Sequence, residues 1–214
     1  MTDDFPEPIL NLVHRTQTIV AERLRDQQAG HGMDHVLRVL AMSRTFQCEM
    51  GGDRVVVELA ALLHDVGDAK FHQGRERSAE FSREILYGLQ APASLIEQVA
   101  VIVDNISFRK GTDANTLTLE GKIVQDADRI DALGAIGIVR TIEYGAVVGQ
   151  PFFQLGDNAH DPKTGIGHFH EKLFKLCGLL NTEPARRIAH QREQFMRTFI
   201  EQYLHEFGET DRQF

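Results

Sequence analysis

A chain of 214 residues, 42% hydrophobic and 25% charged, is long enough to bury one good core. Its net charge of −8 argues against a broad grip on nucleic acid or anionic membrane, because both need basic surface. A small phosphate-bearing ligand stays open, since a local cluster of cations or a metal is enough to hold one.

The chain then reads as a succession of helices. Leu10 to Arg25 spaces its apolar residues as a helix does and stops near Ala29-Gly30. Val36 to Met50 repeats the pattern and ends at Gly51-Gly52, a C-terminal signal. Asp53 can cap the next helix, which carries Val55, Val56, Leu59, Ala60, Leu62, Leu63 and Val66. Being apolar around most of its circumference, that helix belongs in the centre of a bundle. Helices over about Arg75 to Tyr87 and Ala93 to Ile106 follow, the second entered through Pro92. A polar loop, Arg109 to Asn115, leads to a long segment from Leu119 to Val148. Gly134, Gly137 and Gly145 within it allow close packing or divide it in two. Pro151 to Gly167 is rich in Gly, Asp, Pro and His and long for a connection, so it reads as a surface loop or a lid. The last helix, about 182–207, has Asn181 or Thr182 as cap and a stripe of Phe195, Met196, Phe199, Ile200, Tyr203, Leu204 and Phe207.

No stretch alternates long enough for a strand and no linker divides the chain. The expectation is one all-α domain over residues 1–214. No apolar run approaches the ~20 residues that span a bilayer, and the acidic start MTDDFPEPIL lacks a signal peptide's apolar region. A cytoplasmic protein is expected, with Cys48 and Cys177 as reduced and mostly buried thiols.

The chain has two His-Asp dipeptides, where chance alone supplies on the order of one. His160-Asp161 falls in a polar loop. His64-Asp65 lies instead in the most apolar helix, where burying an imidazole and a carboxylate together costs several kcal/mol unless something compensates. A divalent cation compensates both, since neutral imidazole and carboxylate are ligands suited to it. Further partners must come from other helices. His35 opens the second helix, in His31-Gly32-Met33-Asp34-His35. Asp126, Asp128 and Asp131 crowd an otherwise apolar stretch, where Asp128 and Asp131 share a face. Taken alone, these acids serve caps and ion pairs as readily as a metal.

The order His35, His64-Asp65, Asp128 resembles the H…HD…D signature of HD-domain phosphohydrolases. GMDHVLRVL is similar to that family's first-ligand helix and ELAALLHDVGDAKF to its HD helix. KIVQDADRIDALGAIGIVRT resembles the third motif of one bacterial subgroup, in which a tail like HFHEKLFKL…NTEPARRIAHQREQFMRTFI is usual. The resemblance covers most of the chain and implies the all-α HD fold. It implies that His35, His64, Asp65 and Asp128 hold a metal, and that Asp68 acts as acid/base or orients the attacking water. Capping a helix end or pairing with Lys70 is the alternative for Asp68. Relatives with two metals take extra His ligands from the helices after the HD motif. Here Ile96 to Phe108 contains no His, which favours one metal and leaves Asp104 or Asn105 as polar contacts only.

For phosphate oxygens the basic candidates are His31, Arg38, Lys70, His72, Arg75 and Arg129, with His31 and Lys70 foremost because each lies near a proposed ligand. His160, His168 and His170 could approach from a lid. The mixed N/O ligand set suits Mn²⁺, Co²⁺, Ni²⁺, Fe²⁺ or Mg²⁺ without selecting among them. No P-loop, nucleophile elbow or catalytic Cys arrangement is visible. The expected activity is hydrolysis of a nucleotide phosphate ester or anhydride by a metal-activated water. The subgroup resemblance favours a nucleoside or deoxynucleoside triphosphate giving monophosphate and pyrophosphate. A 5′-nucleotidase, a cyclic-nucleotide phosphodiesterase and a non-catalytic nucleotide sensor are the alternatives. The expected partner is thus a small nucleotide, with no nucleic-acid polymer and no membrane, and a homo-oligomer is left open.

Overall fold

The structure, a computed structural model, describes residues 7–25, 32–69, 72–106, 116–154, 161 and 163–210. All regular structure among them is helical: α1 (Glu7–Arg23), α2 (Met33–Met50), α3 (Arg54–Leu63), α4 (Ser78–Gly88), α5 (Ala93–Ile106), α6 (Leu119–Asp131) and α7 (Gly134–Val148). Next comes α8 (Gly165–His168), continued by a π-helical turn (Phe169–Leu173), α9 (Phe174–Leu176) and a 3₁₀ turn (Cys177–Leu179), and finally α10 (Glu183–Thr210). Two compact units divide the chain, Met1–Asp128 and Arg129–Phe214.

In the first unit α3 is central, as its composition predicts. Every residue from Val56 to Leu63 is buried, and α1, α2, α4 and α5 all pack against it. Asp53 caps α3 by accepting from the Val55 and Val56 amides at 2.9 and 3.2 Å. The Gly51-Gly52 turn folds α2 back along α3, with both glycines at positive φ (82° and 90°). Glu58 is the one charge on the buried part of α3. Arg44 of α2 grips it with two bonds of 2.9 and 3.0 Å and Arg54 adds a third at 2.7 Å, so the carboxylate enters the core already paired. The start of α6 is tied beside the start of α3 by the Asp53 amide donating to Glu120 at 3.1 Å. Further along, Gln125 donates to the Ile106 carbonyl that ends α5, at 3.3 Å.

The long segment divides into α6 and α7, and the break is a local necessity. Gly134 sits at φ 76°, a conformation that side chains rarely adopt, and the methylenes of Arg192 lie 3.1–3.3 Å from where a Cβ would be. Arg192 also donates to the Ile130 carbonyl at 2.7 Å, satisfying an orphan at the end of α6. The Pro151 loop is shorter than its composition suggests, because α8 already begins at Gly165 behind a Thr164 cap. The ends of the loop are fastened to each other: Gly165 and Ile166 amides donate to the Pro151 and Phe152 carbonyls, both at 2.9 Å. Phe152 then stacks edge-on against Phe169 and Tyr203. No helix among the described residues is long and apolar enough to cross a membrane.

Candidate metal centre

Three elements of the first unit bring the proposed ligands together. The α2–α3 hairpin returns the start of α2 to the level of the end of α3, so His35 faces His64. Helix α6, tied to the start of α3, meets its end again at Asp128, roughly two turns from Glu120. His35 Nε2 lies 3.1 Å from His64 Nε2, 3.5 Å from Asp65 Oδ2 and 3.4 Å from Asp128 Oδ1. His64 Nε2 lies 3.6 Å from Asp65 Oδ2 and 3.8 Å from Asp128 Oδ1. Asp65 and Asp128 thus each place a carboxylate oxygen within 4 Å of both imidazole nitrogens, and all four residues are ones that sequence reading had singled out.

The donor chemistry fits a cation. His64 Nδ1 donates to the Ala61 carbonyl at 2.8 Å, which turns the lone pair of a neutral ring outward on Nε2. Both imidazoles are buried, His35 at 1% and His64 at 7% exposure. Two nitrogens facing each other at 3.1 Å need a proton or a cation between them or beside them. Donors bound to one ion at ~2.0–2.2 Å stand roughly 3.0–3.6 Å apart, close to the observed spacings. Asp128 supplies negative charge: burial pushes its carboxyl up, but its hydrogen bond with His35 and the neighbouring imidazoles outweigh this and hold it below the usual carboxylate range. Among the described residues, the His35, His64 and Asp65 cluster is the one group of His, Cys, Asp and Glu side chains arranged to hold a metal.

Local structure at the HD dipeptide differs from the sequence reading. Helix α3 ends at Leu63, His64 is its C-cap, and residues 64–67 form a turn. Asp68 therefore lies beyond a turn and not on a continuing helix. It is half-buried, with its amide donating to the Asp65 carbonyl at 3.1 Å. The turn is clamped from a segment that sequence reading overlooked. Ser78 Oγ accepts from the Gly67 amide at 3.1 Å while donating to Glu76, and the Arg77 amide donates to the Gly67 carbonyl at 2.9 Å. A Cβ on Gly67 would stand 2.5 Å from the Arg77 carbonyl carbon and 2.6 Å from the Ser78 nitrogen. A glycine two residues after the HD dipeptide was the available signal. Gly67→Ala is expected to lower the melting temperature by the equivalent of ~1–3 kcal/mol. It should also weaken metal retention, because the strand of backbone that must yield carries Asp65. Thermal melts with metal analysis check both, and a variant with wild-type melting would show that the clamp gives freely.

The other candidates separate clearly. His31, Lys70 and His160 lie outside the described residues. Arg38 is paired with Asp34 at 2.8 Å, and His72 stacks edge-on against Phe81. Asn105 turns its amide back to the Val101 carbonyl of its own helix at 2.8 Å. In the second unit Arg129 donates to the Leu179 carbonyl, and the buried Asp131 pairs with the partly exposed Arg140 at 2.7 Å. Burial lowers the pKa of His168, while His170 stacks on Phe174. Of the two cysteines only Cys177 is partly buried; Cys48 is exposed, against expectation. Burial and then Glu193 push the Cys177 thiol up to about 12, so it stays protonated.

An all-helical bundle with two buried histidines and two aspartates meeting at the end of its central helix is the arrangement of the HD domain, whose family model matches residues 32–133. The chain belongs to that family. It is similar to YpgQ of Bacillus subtilis (strain 168), 32% identical over 197 residues that cover 90% of this chain and 92% of YpgQ. A solved HD-superfamily hydrolase from Bacillus thuringiensis is 36% identical, with a TM-score of 0.78 over 94% of this chain and 98% of that one. The structure of B. subtilis YpgQ in complex with ADP matches at 29% identity and a TM-score of 0.79, over 93% and 96%.

Proposed function

We propose that this protein is a cytoplasmic metal-dependent phosphohydrolase that cleaves nucleotides, with a (deoxy)nucleoside triphosphate giving monophosphate and pyrophosphate as its principal reaction. The observation that carries the reading is the mutual approach of His35, His64 and Asp65, with Asp128 3.4 and 3.8 Å from the two imidazole nitrogens. These four would hold a single divalent ion, with Mn²⁺, Co²⁺, Ni²⁺, Fe²⁺ and Mg²⁺ all compatible with the donors. When bound, such an ion polarises a phosphoryl oxygen and acidifies water. The ADP complex of YpgQ supports a nucleotide as the ligand here.

The chain's own residues supply the rest. Ala61 fixes the His64 ring through its carbonyl, so that Nε2 is presented without rotation. Asp68 serves as general base, accepting a proton from the water that attacks the α-phosphorus as the bond to the pyrophosphate oxygen breaks. His31 and Lys70 supply the positive charge that steadies the departing phosphates. Phosphoryl transfer needs little beyond this positioning and charge stabilisation.

The test is turnover of purified protein on nucleoside tri- and monophosphates and cyclic nucleotides, each with the five metals in turn. Pyrophosphate release from triphosphates is the expected result. Phosphate release from monophosphates alone would make the protein a 5′-nucleotidase. Nucleotide binding with no turnover anywhere would make it a sensor and end the enzymatic reading.

Metal content gives a separate check. Helix α5 offers no His, Asn105 is bonded to its own helix, and Asp131 is engaged by Arg140. Elemental analysis of protein prepared without added phosphate should find at most one tightly held transition metal per chain. Two tightly held ions would mean that acids such as Asp104 or Asp131 complete a second site.

A further inference from the structure

The chain leaves the end of α3 at Gly67 and returns to the start of α4 at Ser78, and the two points are bonded to each other. Gly67 is held through its amide, which donates to Ser78 Oγ at 3.1 Å, and through its carbonyl, which accepts from the Arg77 amide at 2.9 Å. Two residues on, Ala69 is buried, and its carbonyl accepts from the His72 and Gly74 amides at 3.2 and 2.8 Å. Gln73 and Gly74 turn the chain back there, at φ 54° and 82°. Asp68 stands between these two anchored residues. Val66, Gly67 and Ala69 are buried, whereas Asp68 is half-buried and reaches the surface.

We infer that Ser78 and Glu76 are positioning residues for the reaction, fixing the backbone from which Asp68 presents its carboxylate. The inference rests on the reading of Asp68 as general base. Ser78 is 1% exposed, and its hydroxyl has a single proton to give. That proton goes to Glu76 Oε1 at 2.5 Å, which leaves a lone pair turned toward the Gly67 amide. The same carboxylate oxygen accepts from the Ser78 amide at 3.0 Å, so two bonds align Glu76 on Ser78. A charged acceptor makes the hydroxyl bond the stronger and fixes its direction. Behind Ser78 stands a regular helix: Ser82 Oγ donates to the Ser78 carbonyl at 2.7 Å, and α4 packs against both α3 and α5. A site referred to such an element is held more closely than one carried by a loop alone.

A plain helix cap accounts for part of this, because the Ser78 amide is one of the donors that the start of α4 leaves over. It does not account for the hydroxyl, which a cap leaves idle and which here joins Glu76 to the turn after the HD dipeptide. Nor does it account for the fit at Gly67, where backbone meets backbone with no room for a Cβ and no side chain between them to give. The segment is also held on α4 further along, since the His72 ring and the Arg77 guanidinium both lie on Phe81, at 5.1 and 4.4 Å. A displacement of about 1 Å at a reacting group can lower a rate ~100-fold, and the clamp acts one residue from the base.

The experiment is a double-mutant cycle on the full chain: Ser78→Ala, Asp68→Asn and the two together, with Glu76→Ala beside them. All are assayed on the nucleoside triphosphate that wild type turns over fastest, at saturating Mn²⁺, so that any loss of metal affinity through Asp65 drops out. Ser78→Ala should lower kcat at least ~10-fold, with KM within about twofold of wild type. On the Asp68→Asn background the same change should cost less than about twofold, because a residue acting through Asp68 has nothing left to position. Glu76→Ala, at a half-buried position, should follow Ser78→Ala, and it decides the matter if that variant does not fold. Amide hydrogen exchange reads the clamp without turnover. The Gly67 amide should exchange at least ~100-fold faster in both variants, while the Ile85 and Leu86 amides deeper in α4 stay protected. Equal losses of kcat on the two backgrounds, or a lowered melting temperature with kcat preserved, would make the pair a cap and overturn the inference. Asp68→Asn with wild-type kcat would instead end the base reading itself, a failure seen without any change at Ser78. Wild type that turns over no nucleotide would end both.

Discussion

His64→Ala and Asp65→Ala should each empty the metal centre while leaving the bundle standing. His64 is buried at the C-cap of α3, and its one bond to the backbone is the 2.8 Å contact to Ala61. Removing it takes away a donor of the cluster and little of the packing that α3 makes through Val56 to Leu63. Asp65 is partly exposed, at 17% of its side chain, so its loss costs the core less still. Disturbing an outer-shell partner of a metal ligand typically lowers affinity or activity by ~10–100-fold, and removing the ligand itself should exceed this. Turnover is therefore expected to fall by more than ~100-fold, with substoichiometric metal after dialysis. Melting in chelator should match that of chelated wild type, because metal stabilises the folded state only while it is bound. Stoichiometric metal and wild-type turnover in either variant would remove that residue from the centre.

Asp68→Asn carries the second large expectation and separates enzyme from sensor. An acid/base group contributes ~10²–10⁴-fold to rate, and the amide keeps the size of the carboxylate while losing its basicity. The variant should lose kcat by that order, with metal content and nucleotide affinity little changed. A carboxylate that merely capped or paired at this place would behave otherwise: a stability loss of ~1 kcal/mol with turnover preserved. The turn at residues 64–67 sharpens the choice. Asp68 stands past the end of α3, where its backbone already bonds to Asp65, so its position is set by the clamp on Gly67 and not by helical spacing. Measuring kcat, KM, bound metal and melting on this one variant decides between the two roles, and an unchanged kcat would exclude Asp68 from the chemistry.

The sequence by itself determined the helices and their burial, because both are local properties. Gly51-Gly52 and Asp53 mark the α2–α3 hairpin through backbone conformation and capping, and both are found where they were expected. The all-apolar run of α3 marks the centre of its unit through solvation alone. Residue chemistry likewise pointed to His64 and Asp65, since imidazole and carboxylate in apolar surroundings need compensation, while the family resemblance added His35 and Asp128. Periodicity was silent where distant segments compete with it. It carried the third helix through His64 and Asp65, whereas the structure stops α3 at Leu63 and holds the following turn with Arg77 and Ser78. It put Asp131 on the same face as Asp128, but Arg140, beyond the Gly134 break, engages Asp131 in a pair of its own. It could not say that Arg192, 62 residues further on, would finish the end of α6. Tertiary structure decided these points because a hydrogen bond or a close backbone contact acts over a few ångströms of space, and the spacing of neighbours along a helix holds no record of which remote residue will come within that range.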